Sequence, residues 1–213
     1  MIPGPTYVYK CPNCGNLLTK ESLTSGNTFI IKIYSDGKRI APMLPEFPNL
    51  TKCKKCNTIF WLSKLETVGE YKWDDKENSN WINEDRANFL NIGDYFRALK
   101  EGLAENIKEE IFIRKQIWWA YNHRVRFGKA STPYRNTNDE IKWKENCNKL
   151  ISLLYESDLS QRITIAELKR NLGDFEGCLE IIKKIDDNDK LSWVKDKFID
   201  ECKRGNRCVV KLK

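Results

Sequence analysis

Apolar residues change their spacing once along this chain. Over the first 65 or so residues they come in short β-branched and aromatic runs broken by Pro, Gly and Asn; beyond about residue 82 they return every three or four positions. The first pattern predicts strands and turns, the second helices. Residues 6–10 and 28–34 have strand composition, Asp36 and Gly37 suit a hairpin turn, and 38–41 is the expected return strand. Pro42, Pro45 and Pro48 forbid ladder pairing, so that stretch is expected as an extended loop anchored by Met43, Leu44 and Phe47. Residues 59–62 supply a last strand.

Residues 66–81 are polar and aperiodic, the expected linker. After them Leu103, Ile107, Ile111, Trp118, Tyr121 and Val125 predict the buried stripe of one long helix, and Trp143, Cys147, Leu150 and Leu154 that of a second over 139–156. A final helix over 189–202 would bury Leu191, Val194 and Phe198. Residues 205–207 read as a turn, and 208–212 as a short strand with no evident partner.

The helical half contains an internal repeat. Asn91-Ile-Gly-Asp-Tyr-Phe-Arg-Ala-Leu99 aligns with Asn171-Leu-Gly-Asp-Phe-Glu-Gly-Cys-Leu179 at an offset of 80 residues. Gly would end one helix, Asp would cap the next, and an aromatic with a small residue would seat where two helices approach closely. The unit resembles the tetratricopeptide repeat, in which G-D-Y-x-x-A-L opens the second helix of each hairpin. That resemblance implies Ala98 and Cys178 at the small packing position and Tyr95 and Phe175 at the turn. Residues 104–156 would form an intervening hairpin that departs from the family in its long first helix, long connection and lack of the G-D-Y unit.

Chemistry enters with the cysteines. Cys11 and Cys14, then Cys53 and Cys56, make a C-x2-C-x38-C-x2-C pattern, the spacing of a tetrahedral thiolate metal site. The residue after the second cysteine of such a knuckle often needs positive φ, and Gly15 and Asn57 are the types that tolerate it. Residues 1–65 resemble a zinc ribbon, and the C-P-x-C-G knuckle resembles that of rubredoxin. The resemblance implies one structural Zn2+, with iron the less favoured alternative. Four thiolates close the shell and leave no position for substrate. A lone C-x-x-C at a helix start would suit redox chemistry better.

Charge alters the picture only locally. The net charge is +7; residues 1–66 hold nine Lys or Arg against four Asp or Glu, a net +5. Lys10, Lys52, Lys54 and Lys55 adjoin the cysteines, and their charge would offset the −2 of a four-thiolate zinc centre. Hydrophobic residues make up 40% and charged residues 31% of the chain, and no apolar run approaches the roughly 20 residues of a bilayer span. Residues 1–5 lack the charged and apolar regions of a secretory signal, so the cytoplasm is expected.

One helical face carries Phe112, Lys115, Trp119, His123 and Arg126, an aromatic strip edged with positive charge. It could grip an acidic peptide or single-stranded nucleic acid by stacking; the simpler reading packs Trp119 against a neighbouring helix or the ribbon. His123 is the sole histidine and has no nucleophile motif around it. Cys147 and Cys178 read as small core residues, Cys202 and Cys208 as a weak redox pair, and Asp186, Asp187 and Asp189 as a solvated turn. No phosphate-binding glycine loop is present.

The expected fold is multidomain. A small β zinc ribbon (1–65) and a linker (66–81) precede an all-α antiparallel array of tetratricopeptide-like helical hairpins (82–204) and a tail (205–213). The expected role is a non-enzymatic metal-binding adaptor that recognises protein or peptide. Nucleic-acid binding through the basic ribbon is the alternative, and an iron redox protein the second; no membrane partner is expected.

Overall fold

A computed structural model describes residues 1–72, 74–75, 80–186 and 192–213. A small N-terminal β region is followed by six helices among these residues. The strands are β1 (Ile2–Pro3), β2 (Thr6–Lys10), β3 (Leu17–Lys20), β4 (Leu23–Ser25), β5 (Lys32–Ile33), β6 (Arg39–Ile40), β7 (Leu50–Lys52), β8 (Ile59–Trp61), β9 (Gly69–Tyr71) and β10 (Asp85–Arg86). The helices are α1 (Ile92–Lys100), α2 (Ile107–Arg126), α3 (Thr137–Leu153), α4 (Leu159–Leu172), α5 (Phe175–Lys183) and α6 (Lys195–Lys203). Contacts divide the chain into two compact units, the first Met1–Ile31 with Ile40–Leu103, the second Lys32–Arg39 with Ala104–Lys213. The dividing point therefore falls at Leu103, beyond the expected linker, and residues 32–39 belong to the helical unit.

The first unit is built on a four-stranded sheet of order β10-β3-β2-β9, with β7 and β8 as a separate antiparallel hairpin. β9 comes from the expected linker and pairs with β2, placing Gly69 opposite Val8. Such a pairing needs no alternating apolar pattern, which is why the composition of that stretch does not announce a strand. Part of the linker (residue 73 and residues 76–79) lies outside the described residues. The expected strand over 28–34 is mostly loop: only Lys32–Ile33 and the bridge residue Tyr34 pair with another segment, while Phe29 and Ile30 are 75% and 82% exposed. Ile30 has φ +58°, a left-handed conformation that a β-branched residue adopts only under constraint.

α1 completes this unit, and here the first copy of the repeat behaves unlike the second. Asn91 caps α1, its Oδ1 accepting the Asp94 amide at 2.9 Å, so Gly93 and Asp94 lie inside the first turn. In the second copy Gly173 ends α4 in the left-handed region at φ +91°, and Asp174 caps α5 through the Gly177 amide at 2.9 Å. The expected Gly-stop and Asp-start is therefore present at 171–179 and absent at 91–99. Both copies carry an Asn three residues before the Asp, but the Asn171 side chain is engaged elsewhere, its Oδ1 accepting Trp118 Nε1 at 2.9 Å and its Nδ2 donating to the Arg207 carbonyl at 2.8 Å. Only Asn91 therefore caps a helix and moves its start. The packing positions still agree, with Ala98 and Cys178 both fully buried.

In the second unit each helix packs on its neighbour in sequence, from α2 to α6. Capping explains the starts: Asn106, Asn136, Asp158 and Asp174 each accept the amide three residues on. The buried side of α2 is Ile113, Ile117, Trp118 and Tyr121, rotated from the expected stripe; Ile107 is 51% exposed and Leu103 precedes the helix. On α3 Trp143, Cys147 and Leu150 are buried as the spacing predicts. Val194 and Phe198 join Ile165, Ala166, Cys178, Ile181, Ile182, Ile185 and Cys202 in one core cluster. The expected start of the last helix, with Asp187, Asp189 and Leu191, lies outside the described residues. The tail finds its partner in the 32–39 segment: Tyr34 bridges Lys211, and the Ser35 amide donates to the Val210 carbonyl at 2.9 Å.

Candidate metal centre

The two knuckles of the first unit are built alike. The first joins β2 to β3, the second β7 to β8, so each crowns an antiparallel hairpin. The Cys11 amide donates to the Asn16 carbonyl at 2.8 Å and the Gly15 amide to the Cys11 carbonyl at 3.0 Å. Around the second knuckle the Cys53 amide donates to Thr58 and the Asn57 amide to Cys53, both at 2.9 Å. Gly15 and Asn57 have φ of +72° and +60°, the left-handed turn expected of each. That turn brings both cysteines of a knuckle onto one side.

The four Sγ atoms lie within 4.8 Å of one another. Cys11 and Cys56 are 3.6 Å apart, Cys14 and Cys53 3.7 Å. A tetrahedron with metal–sulfur bonds of about 2.3 Å has edges of about 3.8 Å, so the donor set fits a four-thiolate ion. These distances are far beyond a disulfide bond of about 2.05 Å. Cys11 and Cys53 sit in the hydrophobic cluster of the unit with Tyr9, Leu18, Phe60 and Leu62, while Cys14 and Cys56 are half-buried at its edge.

Electrostatics within the quartet are uneven. The Thr58 hydroxyl and amide draw the Cys56 thiol down to about 5. For Cys14 the Asn16 amide pulls downward, but burial and the sulfurs of Cys56, Cys53 and Cys11 outweigh it and push the thiol up to about 12. Burial likewise raises Cys11. A dication bound by four cysteines would hold them as thiolates, so binding would release protons.

The neighbouring lysines have other partners than expected. Lys52 pairs with Asp94 at 2.6 Å and Lys54 with Asp85 at 2.8 Å. The Asp94 pair fixes α1 to the second hairpin, and Arg97 of α1 donates to the carbonyl of Asn57 at 2.8 Å. Trp61 Nε1 donates to the Leu103 carbonyl at 2.8 Å, and Thr51 exchanges hydrogen bonds with Asn88. Residues 85–103 therefore brace the second knuckle. Sequence reasoning missed this role, because nothing local to Asp85 or Asp94 announces Lys54 and Lys52 as their partners.

The expected recognition face lies in the second unit and is largely spent inside it. Arg126 forms an ion pair with Asp36 in which neither side chain has exposed area. The Trp119 indole donates to the Asp36 carbonyl at 2.9 Å and lies under Lys38, whose Nζ is 4.4 Å from the ring centre. His123 stacks on Phe127 with centroids 5.1 Å apart, and its Nδ1 faces Arg126 Nη1. Lys115 and Phe112 are half-buried. Of the strip Phe112, Lys115, Trp119, His123 and Arg126, Trp119 and Arg126 thus bond the 32–39 segment directly. A second buried pair, Glu167 with Arg170 at 2.7 Å, receives the Ser35 hydroxyl at 2.6 Å.

Comparison of the chain with protein-family models, curated proteins and solved structures returned no significant match. No helix among the described residues is long and apolar enough to cross a membrane.

Proposed function

We propose that this protein is a metal-stapled interaction module, holding one structural zinc ion in Cys11, Cys14, Cys53 and Cys56 and acting without catalysis. The convergence of the four Sγ atoms within 4.8 Å carries the reading. Four sulfur donors complete a tetrahedral shell, so the ion would serve the fold and not a substrate. A β unit of this size has a small core, and a metal bridging its two hairpins supplies the cohesion that core lacks.

An adaptor role is supported by the loops that the two hairpins carry. Phe29 and Ile30 are exposed, and nearby in sequence Gly26 approaches Met43 so closely that a Cβ would lie 2.4 Å from the Met43 carbonyl oxygen. Met43 and Leu44 are themselves 38% and 44% exposed. Exposed large apolar side chains in loops of this kind suit contact with another protein. The α4–α5 hairpin, turned by Gly173 and Asp174, supports a tetratricopeptide-like character for that part of the second unit.

The deciding experiment combines metal content with an anomalous-edge scan on protein purified without chelator. One zinc per chain is expected; well under one equivalent of zinc or iron sinks the reading, and an iron edge with visible absorbance would replace the structural ion by a redox centre. A pull-down comparing wild type with Phe29→Ser/Ile30→Ser tests the adaptor half, with loss of partner recovery expected.

A further inference from the structure

We propose that a cleft in the second unit, between the 32–39 hairpin and helices α2 and α4, binds a small organic anion with an apolar body, its acidic head held by Lys115 and Arg39. The cleft has a volume of about 220 Å³. That is below the roughly 300–1,000 Å³ of drug-sized ligand pockets, with room only for an acidic head and one ring or short chain.

Lys115 carries the argument. It is half-buried in the cleft wall, yet among the described residues its ammonium makes no hydrogen bond or ion pair; its Nζ lies 5.8 Å from the centre of the Trp119 ring. Two carboxylates attract it, Asp36 and Asp158, and both are already engaged. Asp36 is held by Arg126 and by Asn122 at 2.9 Å. Asp158 caps α4, accepting the Gln161 amide at 2.8 Å and the Ser160 hydroxyl at 3.0 Å. Burial lowers the Lys115 pKa against those attractions, the signature of an ammonium without a counter-ion. Arg39, exposed on the same cleft, also lacks a carboxylate partner among the described residues. A half-buried cation without a partner loses part of its hydration, and an anion entering from solvent would offset that loss. Tyr34, Ile163, Val194, Leu212 and the 48% exposed Trp193 line the remaining wall, a surface suited to a ring or alkyl body.

Isothermal titration of the full chain tests this with benzoate and phenyl phosphate, against benzamide and inorganic phosphate as controls. Saturable binding at one site is expected for at least one of the two amphiphilic anions, and the tighter of them identifies the head group. Benzamide, which has the body without the charge, and inorganic phosphate, which has the charge without the body, should each bind at least about tenfold more weakly. Lys115→Met should weaken binding about tenfold or more, and Arg39→Ala by a smaller factor. No saturable binding of either anion overturns the proposal, as does benzamide binding as well as benzoate. Inorganic phosphate binding as tightly as phenyl phosphate overturns the assigned ligand class. Should Lys115→Met fail to fold, Arg39→Ala and Trp193→Ala at the exposed rim decide, and wild-type affinity in both overturns the site.

Discussion

The Asp36 carboxylate and the Arg126 guanidinium, 90 residues apart in sequence, form an ion pair from which solvent is fully excluded. Asn122 adds a second donor to the carboxylate, and the Tyr34 ring lies 4.6 Å from the guanidinium carbon. Removing one partner strands the other, which for a buried pair costs about 3–5 kcal/mol. Asp36→Ala and Arg126→Ala should each lower stability by that amount, measured by urea unfolding followed at a helical wavelength, and the double variant should lose much less than the sum. Strict additivity would show that the two groups do not interact.

Acid should weaken the same region through His123. Burial first, then the charges of Arg126, Lys38 and Lys129, lower its pKa to about 4 from the ordinary 6.5. The unfolded chain takes up a proton near 6.5 that the folded protein refuses until about 4, so the contribution is complete above 6.5 and is lost as pH falls towards 4. Allowing for solvent at this half-buried ring, the loss is about 1–2 kcal/mol. His123→Asn should flatten the dependence of the urea midpoint between pH 7 and 4.5; an unchanged slope would assign the acid sensitivity elsewhere.

Asn57 tests the knuckle geometry apart from the sulfurs. At φ +60° an alanine pays about 1 kcal/mol or more that Asn largely avoids and Gly does not incur. Asn57→Gly should leave metal retention near wild type in a chelator competition, and Asn57→Ala should weaken it about fivefold. Equal retention in both would mean that the turn does not set the positions of Cys53 and Cys56.

The two repeat copies should respond oppositely to one substitution. Gly173→Ala forces a Cβ into a left-handed helix end and should cost about 1–2 kcal/mol. Gly93→Ala lies in a first helical turn where the new Cβ meets only Asn91 Oδ1 at 3.3 Å, so thermal unfolding should shift little. Similar losses at both positions would contradict the different roles of these glycines.

Much of the metal site is legible in the sequence because its constraints are local. Two C-x-x-C pairs and two residues tolerant of positive φ specify the knuckles within five residues each. The ownership of residues 32–39 and of α1 is not local. Nothing in Ser35-Asp36-Gly37 announces Glu167 and Arg126 as partners, and the apolar spacing of α1 is the same whichever core it covers. Trp119 and Arg126 read as a binding strip for the same reason: their partner is the protein's own hairpin, and an aromatic beside a cation looks alike whether its occupant is internal or foreign. The repeat misled at its first copy because the seven agreeing positions of a nine-residue segment fix a packing face without fixing where the helix begins.

The Ser35 hydroxyl accepts the Val210 amide at 3.0 Å, 175 residues further along the chain. A ribosome therefore makes the hairpin long before it makes the helices and the tail that enclose it. A chain that stops before residue 210 lacks the Ser35 contact to Val210, and a fragment beginning at residue 104 would lack the counter-charge of Arg126. Proteolytic or genetic dissection at the apparent boundary should give an isolated first half able to bind metal and a second half that fails to fold until residues 32–39 are supplied as a peptide.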